Sequence, residues 1–268
     1  ASLAGCKHND SSSVRDCLMK KSAEELIMTS SSLPGDPEGF WGPTIDGVEL
    51  TEYPDVLFRQ NRTQAVPVLS GINTNEGTCF IYPAYPEGMN ESQYRGFVSQ
   101  TLTSGDRGLT ATEIAKVLHT YPPIPSQDLR PLASALFTDL FLCRDLNALR
   151  HLSTKTHTFV YRFNHRPTCP QPGSAPGAYH GLELPYVFGT PETYECSLTA
   201  EEEALSMRMQ RMWTNFAKYL SPSIVSEPFP EYSNTGQKGV VLQTPSDDID
   251  NGYRASFCKV WDEIWESK

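Results

Sequence analysis

AVPVLSGINTNEGTCF, residues 65–80, joins an apolar, β-branched run to a polar loop that carries one acid, Glu76, against Gly77. The run is short and flanked by turn residues, which reads as a buried strand. In open α/β sheets the working residues sit on loops beyond the carboxyl ends of strands. A second stretch fits the same rule. THTFVYRF, residues 156–163, alternates Phe159, Tyr161 and Phe163 and reads as another strand. It runs into a Pro/Gly-rich loop, NHRPTCPQPGSAPGAYHG, which holds His165 and His180. An acid loop followed later by a histidine loop is the chain order nucleophile, acid, base of a hydrolase triad.

Between and after these strands the apolar period becomes helical. Residues 92–102 and 110–121 have helical spacing. PLASALFTDLFLCRDLNALRHLS, residues 131–153, is the strongest amphipathic pattern and brings Leu136, Leu140, Cys143 and Leu149 near one another. Residues 199–220 open with Thr199 as a cap and three glutamates at the positive end of the helix dipole. A last helix is expected over residues 253–265, and an early one after Ser22. CKHNDSSSVRDC, residues 6–17, reads as a polar loop between two cysteines. Strands separated by helices predict an α/β fold, a mostly parallel central sheet with helices on both faces.

A net charge of -10 over 268 residues argues against nucleic acid as a partner, since phosphate binding needs clustered Lys and Arg. No apolar run approaches the roughly 18 residues that span a bilayer. Ala1 opens no signal peptide, so a mature chain or a fragment is expected. The seven cysteines include no C-x-x-C pair, and the histidines form no H-x-x-x-H, so neither a metal site nor a cofactor is expected. Sequons at Asn9, Asn61 and Asn90 together with scattered cysteines point to an oxidising, secretory or extracellular location.

GINTNEGTCF (71–80) and YHGLELPYVFG (179–189) resemble the acid and histidine motifs of the cholinesterase and type-B carboxylesterase family of α/β-hydrolases. GPTIDGVEL (42–50), FVYRFNHRP (159–167), residues 199–220 and ASFCKVWDEI (255–264) are similar to the same family in the same order. The resemblance implies that Glu76 orients a catalytic histidine and stabilises its cation. It implies that His180 is the base that takes a proton from serine and returns it to the leaving alcohol. His165 is the rival base; it follows its strand too closely and reads as a packing or hydrogen-bonding residue. The G-x-S-x-G elbow and the glycine-rich oxyanion motif do not occur in residues 1–268, and in the family both lie upstream. The expectation is therefore the C-terminal part of a single hydrolase domain. Its partner would be an N-terminal half, as a separate chain or a missing segment. Some family members are adhesion proteins without catalysis, so a non-catalytic adhesion or scaffolding role, or a carrier for hydrophobic ligands, is the alternative.

The family's choline-ester specialists surround a substrate cation with aromatic rings. At two of those positions this chain has Cys79 and Leu182, while Phe80 keeps a ring and Phe40 or Trp41 could wall an acyl pocket. That set favours a small neutral or apolar ester. The resemblance also implies disulfides Cys6–Cys17 and Cys143–Cys258, and a homodimer through the last two helices. Cys79, Cys169 and Cys196 remain; Cys169–Cys196 would close a loop around His180, leaving Cys79 as a thiol facing the substrate.

Overall fold

Alternation in residues 158–163 sends side chains to opposite faces of a strand. The computed structural model describes residues 1–30, 43–103, 108–168, 176–194, 197–225 and 228–267. They fall into two compact units, residues 1–53 and 54–268. In the larger unit, β1 (Val68–Asn73) pairs in parallel with β2 (Thr158–Phe163), with Val68 opposite Thr158 and Asn73 opposite Phe163. β3 (Lys238–Leu242) continues the parallel sheet beside β2, and β4 (Asp248–Asn251) closes it antiparallel, in the order β1-β2-β3-β4.

Each face of the sheet has its own core. Ile72 and Val160 pack with α5 (Glu91–Thr103), α6 (Ala111–Thr120), α7 (Arg130–Leu152) and α10 (Ala255–Glu266). Phe159, Phe163, Val240 and Leu242 point the other way. They meet Tyr186 of α8 (Leu184–Phe188) and Leu205, Met209 and Met212 of α9 (Ala200–Tyr219). Helices on both faces of a mainly parallel sheet are what the sequence predicts. β3 and β4 are additions to that reading: KGVVL is a five-residue run, too short for its period to separate it from a loop.

α7 is the spine of the first core. Leu136, Leu142, Cys143 and Leu149 are buried along it, with Leu140 packed at the margin. Cys143 is bonded to Cys258 of α10, with Cα atoms 4.9 Å apart. Asp139, fully buried on α7, accepts from the Arg254 guanidinium and from Tyr121 Oη at 2.5 Å. Trp261 Nε1 donates to that same Tyr121 hydroxyl at 3.0 Å. A buried carboxylate on α7, held from the end of α6 and the start of α10, ties the three helices to one another.

In the unit of residues 1–53, Cys6 is bonded to Cys17, and the segment read as a polar loop contains a helix, α1 (Ser11–Leu18). Asp10 caps it by accepting from the Ser13 amide at 2.8 Å. An Asp followed by small polar residues serves a helix start as readily as a loop, which is why its polarity misleads. α2 (Ala23–Ser30) starts with reciprocal bonds between Ser22 and Glu25. α3 (Pro54–Arg59) opens the larger unit, and α4 (Thr78–Ala84) follows directly on the acid loop.

Candidate active site

β1 and β2 end side by side, so the loops that follow them meet. Asn75 N donates to Ala178 O at 2.9 Å, and Ala178 N donates back to Asn75 Oδ1 at 3.0 Å. This two-way clasp joins the acid loop to the histidine loop. At Gly77 the acid loop presses on α7: the amide donates to Thr138 Oγ1 at 3.1 Å, and a Cβ there would stand 2.4 Å from Ser134 O. No larger residue fits that approach. On the other loop, Gly181 takes φ +80°, a left-handed turn that lets the chain reverse straight after His180 and enter α8.

The clasp brings His180 Nδ1 to 2.7 Å from Glu76 Oε2. The other carboxylate oxygen, Glu76 Oε1, accepts from the Asn73 amide at 2.7 Å. The acid is therefore fixed through both oxygens. Its side chain is only 10% exposed, while that of His180 is 52% exposed. With Nδ1 bound to the acid, the ring offers Nε2 to the open side. Burial pushes the Glu76 carboxyl above its usual range, with neighbouring Glu183 adding to the rise; the Asn73 amide and His180 act against it.

Aromatic rings flank the open side of the histidine. Phe80 lies 5.4 Å from the His180 ring and Phe141 lies 5.9 Å from it, centroid to centroid. Phe137 joins them, 5.1 Å from Phe80 and 5.4 Å from Phe141. The Phe80 and Phe141 rings are exposed, so an apolar wall stands beside a polar base. Cys79 is a free, half-buried thiol whose Sγ lies 3.6 Å from Glu76 O; burial pushes its pKa up and so disfavours the thiolate. Leu182 is fully buried in the core against α8 and α9, so it does not face the open side as the sequence reading placed it. Phe40, Trp41, Cys169 and Cys196 lie outside the described residues. Asn9, Asn61 and Asn90 are all exposed.

His165 is accounted for elsewhere. It is buried, with Nε2 3.0 Å from Glu202 Oε1 and Nδ1 3.2 Å from Thr244 Oγ1. Both ring nitrogens are engaged, which leaves none for a proton shuttle.

The family model for the carboxylesterase family matches residues 1–261. The chain belongs to the carboxylesterase family. Among similar proteins are mouse (Mus musculus) cholinesterase, 27% identical over 97% of this chain and 46% of its own length. The crystal protein of Dictyostelium discoideum is 30% identical over 83% of this chain and 41% of its own. Rat (Rattus norvegicus) neuroligin-2 is 27% identical over 86% of this chain and 29% of its own. The chain thus spans about half, or less, of the length of the curated relatives it matches. Within this carboxylesterase-family chain the sequence reading missed Phe137 and Phe141 beside His180. FTDLF carried the signal: two rings four residues apart share one helix face.

Proposed function

We propose that this chain supplies the acid and the base of a Ser-His-Glu triad that hydrolyses carboxylic esters, with the nucleophilic serine on an upstream segment or chain. The observation that carries this reading is the Glu76–His180 hydrogen bond with the far side of the ring open. His180 Nε2 takes the proton as the serine oxygen adds to the ester carbonyl. Glu76 keeps the ring in the tautomer with Nδ1–H and stabilises the imidazolium that forms. The imidazolium gives its proton to the departing alcohol, leaving an acyl-serine. Water then adds to the acyl carbon, its proton passing through the same nitrogen, and the carboxylic acid leaves.

The half-length match to relatives supports an upstream half. So does the sheet: β1 stands at its edge, with one face of backbone donors and acceptors not paired by any of the four strands. The upstream strands would extend the sheet from β1 and carry the nucleophile and the oxyanion donors. Phe80, Phe137 and Phe141 give the base an apolar flank, and the lack of a ring at positions 79 and 182 favours an uncharged ester there. Two disulfides and three exposed sequons favour an oxidising, secretory setting.

The test is hydrolysis of p-nitrophenyl esters by the complete protein, with acetylthiocholine alongside. Turnover of the neutral esters, in excess over the cationic one, is the expected result. A folded complete protein that hydrolyses neither contradicts the reading and favours a non-catalytic role.

A further inference from the structure

Asn73, the last residue of β1, bonds to the acid loop and to the chain on both sides of His180. Its backbone amide donates to Glu76 Oε1. Its side-chain Nδ2 donates to Tyr179 O at 2.7 Å, on the residue before the base. The same Nδ2 donates to Glu183 Oε2 at 2.5 Å, on the residue that leads into α8. The amide orientation is set by chemistry: both neighbours are acceptors, so only the nitrogen can face them. Asn73 is 1% exposed, and its Oδ1 has no hydrogen-bond partner among the described residues. Leaving a buried acceptor unmatched is destabilising. A side chain retained for packing alone would do better as an apolar residue of similar size. The two bonds of Nδ2 are what an apolar residue cannot make.

We propose that Asn73 is a positioning residue that locks the histidine loop to the end of the acid strand, with Glu183 as its anchor on the far side of the base. The clasp between Asn75 and Ala178 holds the loop before His180. Asn73 holds Tyr179 on one side of His180 and Glu183 on the other. The ring is thereby kept at a fixed height over the Glu76 carboxylate. This inference rests on the triad reading above and adds the residue that fixes its geometry. Asn73 never touches the substrate; it acts through the placement of the base.

In the complete protein, Asn73→Asp keeps the shape and replaces the donor by an acceptor that faces two acceptors. A base displaced by about 1 Å loses on the order of a hundredfold in rate. The variant should therefore lose about a hundredfold in kcat on p-nitrophenyl esters, with KM within about threefold. Asn73→Asp with Glu183→Gln reverses the polarity of the bridge, since the glutamine amide can donate to the new carboxylate. It should regain about tenfold or more of the lost kcat. Asn73→Ala, which leaves the backbone bond to Glu76 in place, serves if the charged variant does not fold and should show the same fall in kcat. An unchanged kcat in the folded variants overturns the inference, as does a loss confined to KM or one that the reversed pair leaves unrepaired. A complete wild-type protein without esterase activity overturns this inference and the triad reading together. An active wild type with unaffected Asn73 variants overturns this inference alone.

Discussion

Glu76 is held where a carboxylate is costly, and the residue next to it explains how. Gly77 lets the acid loop lie against α7, so the strand end and the helix surface together shield the carboxylate. A methyl group at position 77 would meet Ser134 O at 2.4 Å and Ser134 Cα at 2.9 Å, both backbone atoms that cannot swing away. Gly77→Ala must therefore shift the loop or the helix. We expect it to lower stability by about 1–3 kcal/mol and to reduce kcat through the displaced acid. Urea unfolding and steady-state kinetics on the complete protein check both; a variant with wild-type midpoint and kcat would show that the close approach is not needed. At this scale the pairing of Glu76 with His180 was legible in the sequence, because each follows a strand and the two occur in triad order. Asn73 was not, and Phe141 was marked only by its spacing from Phe137. An asparagine at a strand end and a phenylalanine on an amphipathic helix are ordinary residues until the loops they touch are folded together. Leu182 is likewise an ordinary residue in the sequence, and only the fold shows it buried in the core.

Among the elements, α9 shows how a helix start becomes a structural anchor. Thr199 and Glu202 form a reciprocal capping box, with Glu202 N donating to Thr199 Oγ1 at 3.3 Å and Thr199 N donating to Glu202 Oε2 at 2.8 Å. Glu202 also accepts from Thr168 N at 2.9 Å and pairs with His165, so the chain leaving β2 is fastened to the helix. Burial alone would raise the Glu202 carboxyl; the bonds from Thr199, Thr168 and His165 outweigh it and bring it down to about 2. A carboxyl whose folded pKa lies below its unfolded value stabilises the fold above the unfolded value, 4.5 here. That contribution disappears as pH falls through about 2. Glu202→Gln should accordingly cost about 2–3 kcal/mol near pH 7 and progressively less between pH 4.5 and 2. Denaturant midpoints measured at several pH values test it; a cost that stays constant from pH 7 to 2 would assign the effect to shape rather than charge. The capping residue was legible in the sequence because Thr199 and Glu202 stand three apart before an apolar run. Its tertiary partners were not, since Thr168 lies 34 positions from Glu202 and nothing local marks the pairing. α1 was hidden for the opposite reason: its polar surface has no buried residue to give it a period.

For the whole molecule, the central claim is that an acid and a base on this chain serve a serine outside it. The sheet, its two cores and the meeting of the acid and histidine loops make that division physically coherent, since β1 is both the strand that delivers Glu76 and the edge of the sheet. The most direct measurement is labelling of the complete protein with a fluorophosphonate probe, followed by peptide mapping, for wild type and His180→Ala. One adduct is expected, on a serine outside residues 1–268, formed at least about a hundredfold more slowly when the base is removed. An adduct on a residue within 1–268, or a labelling rate that does not change in His180→Ala, would contradict it.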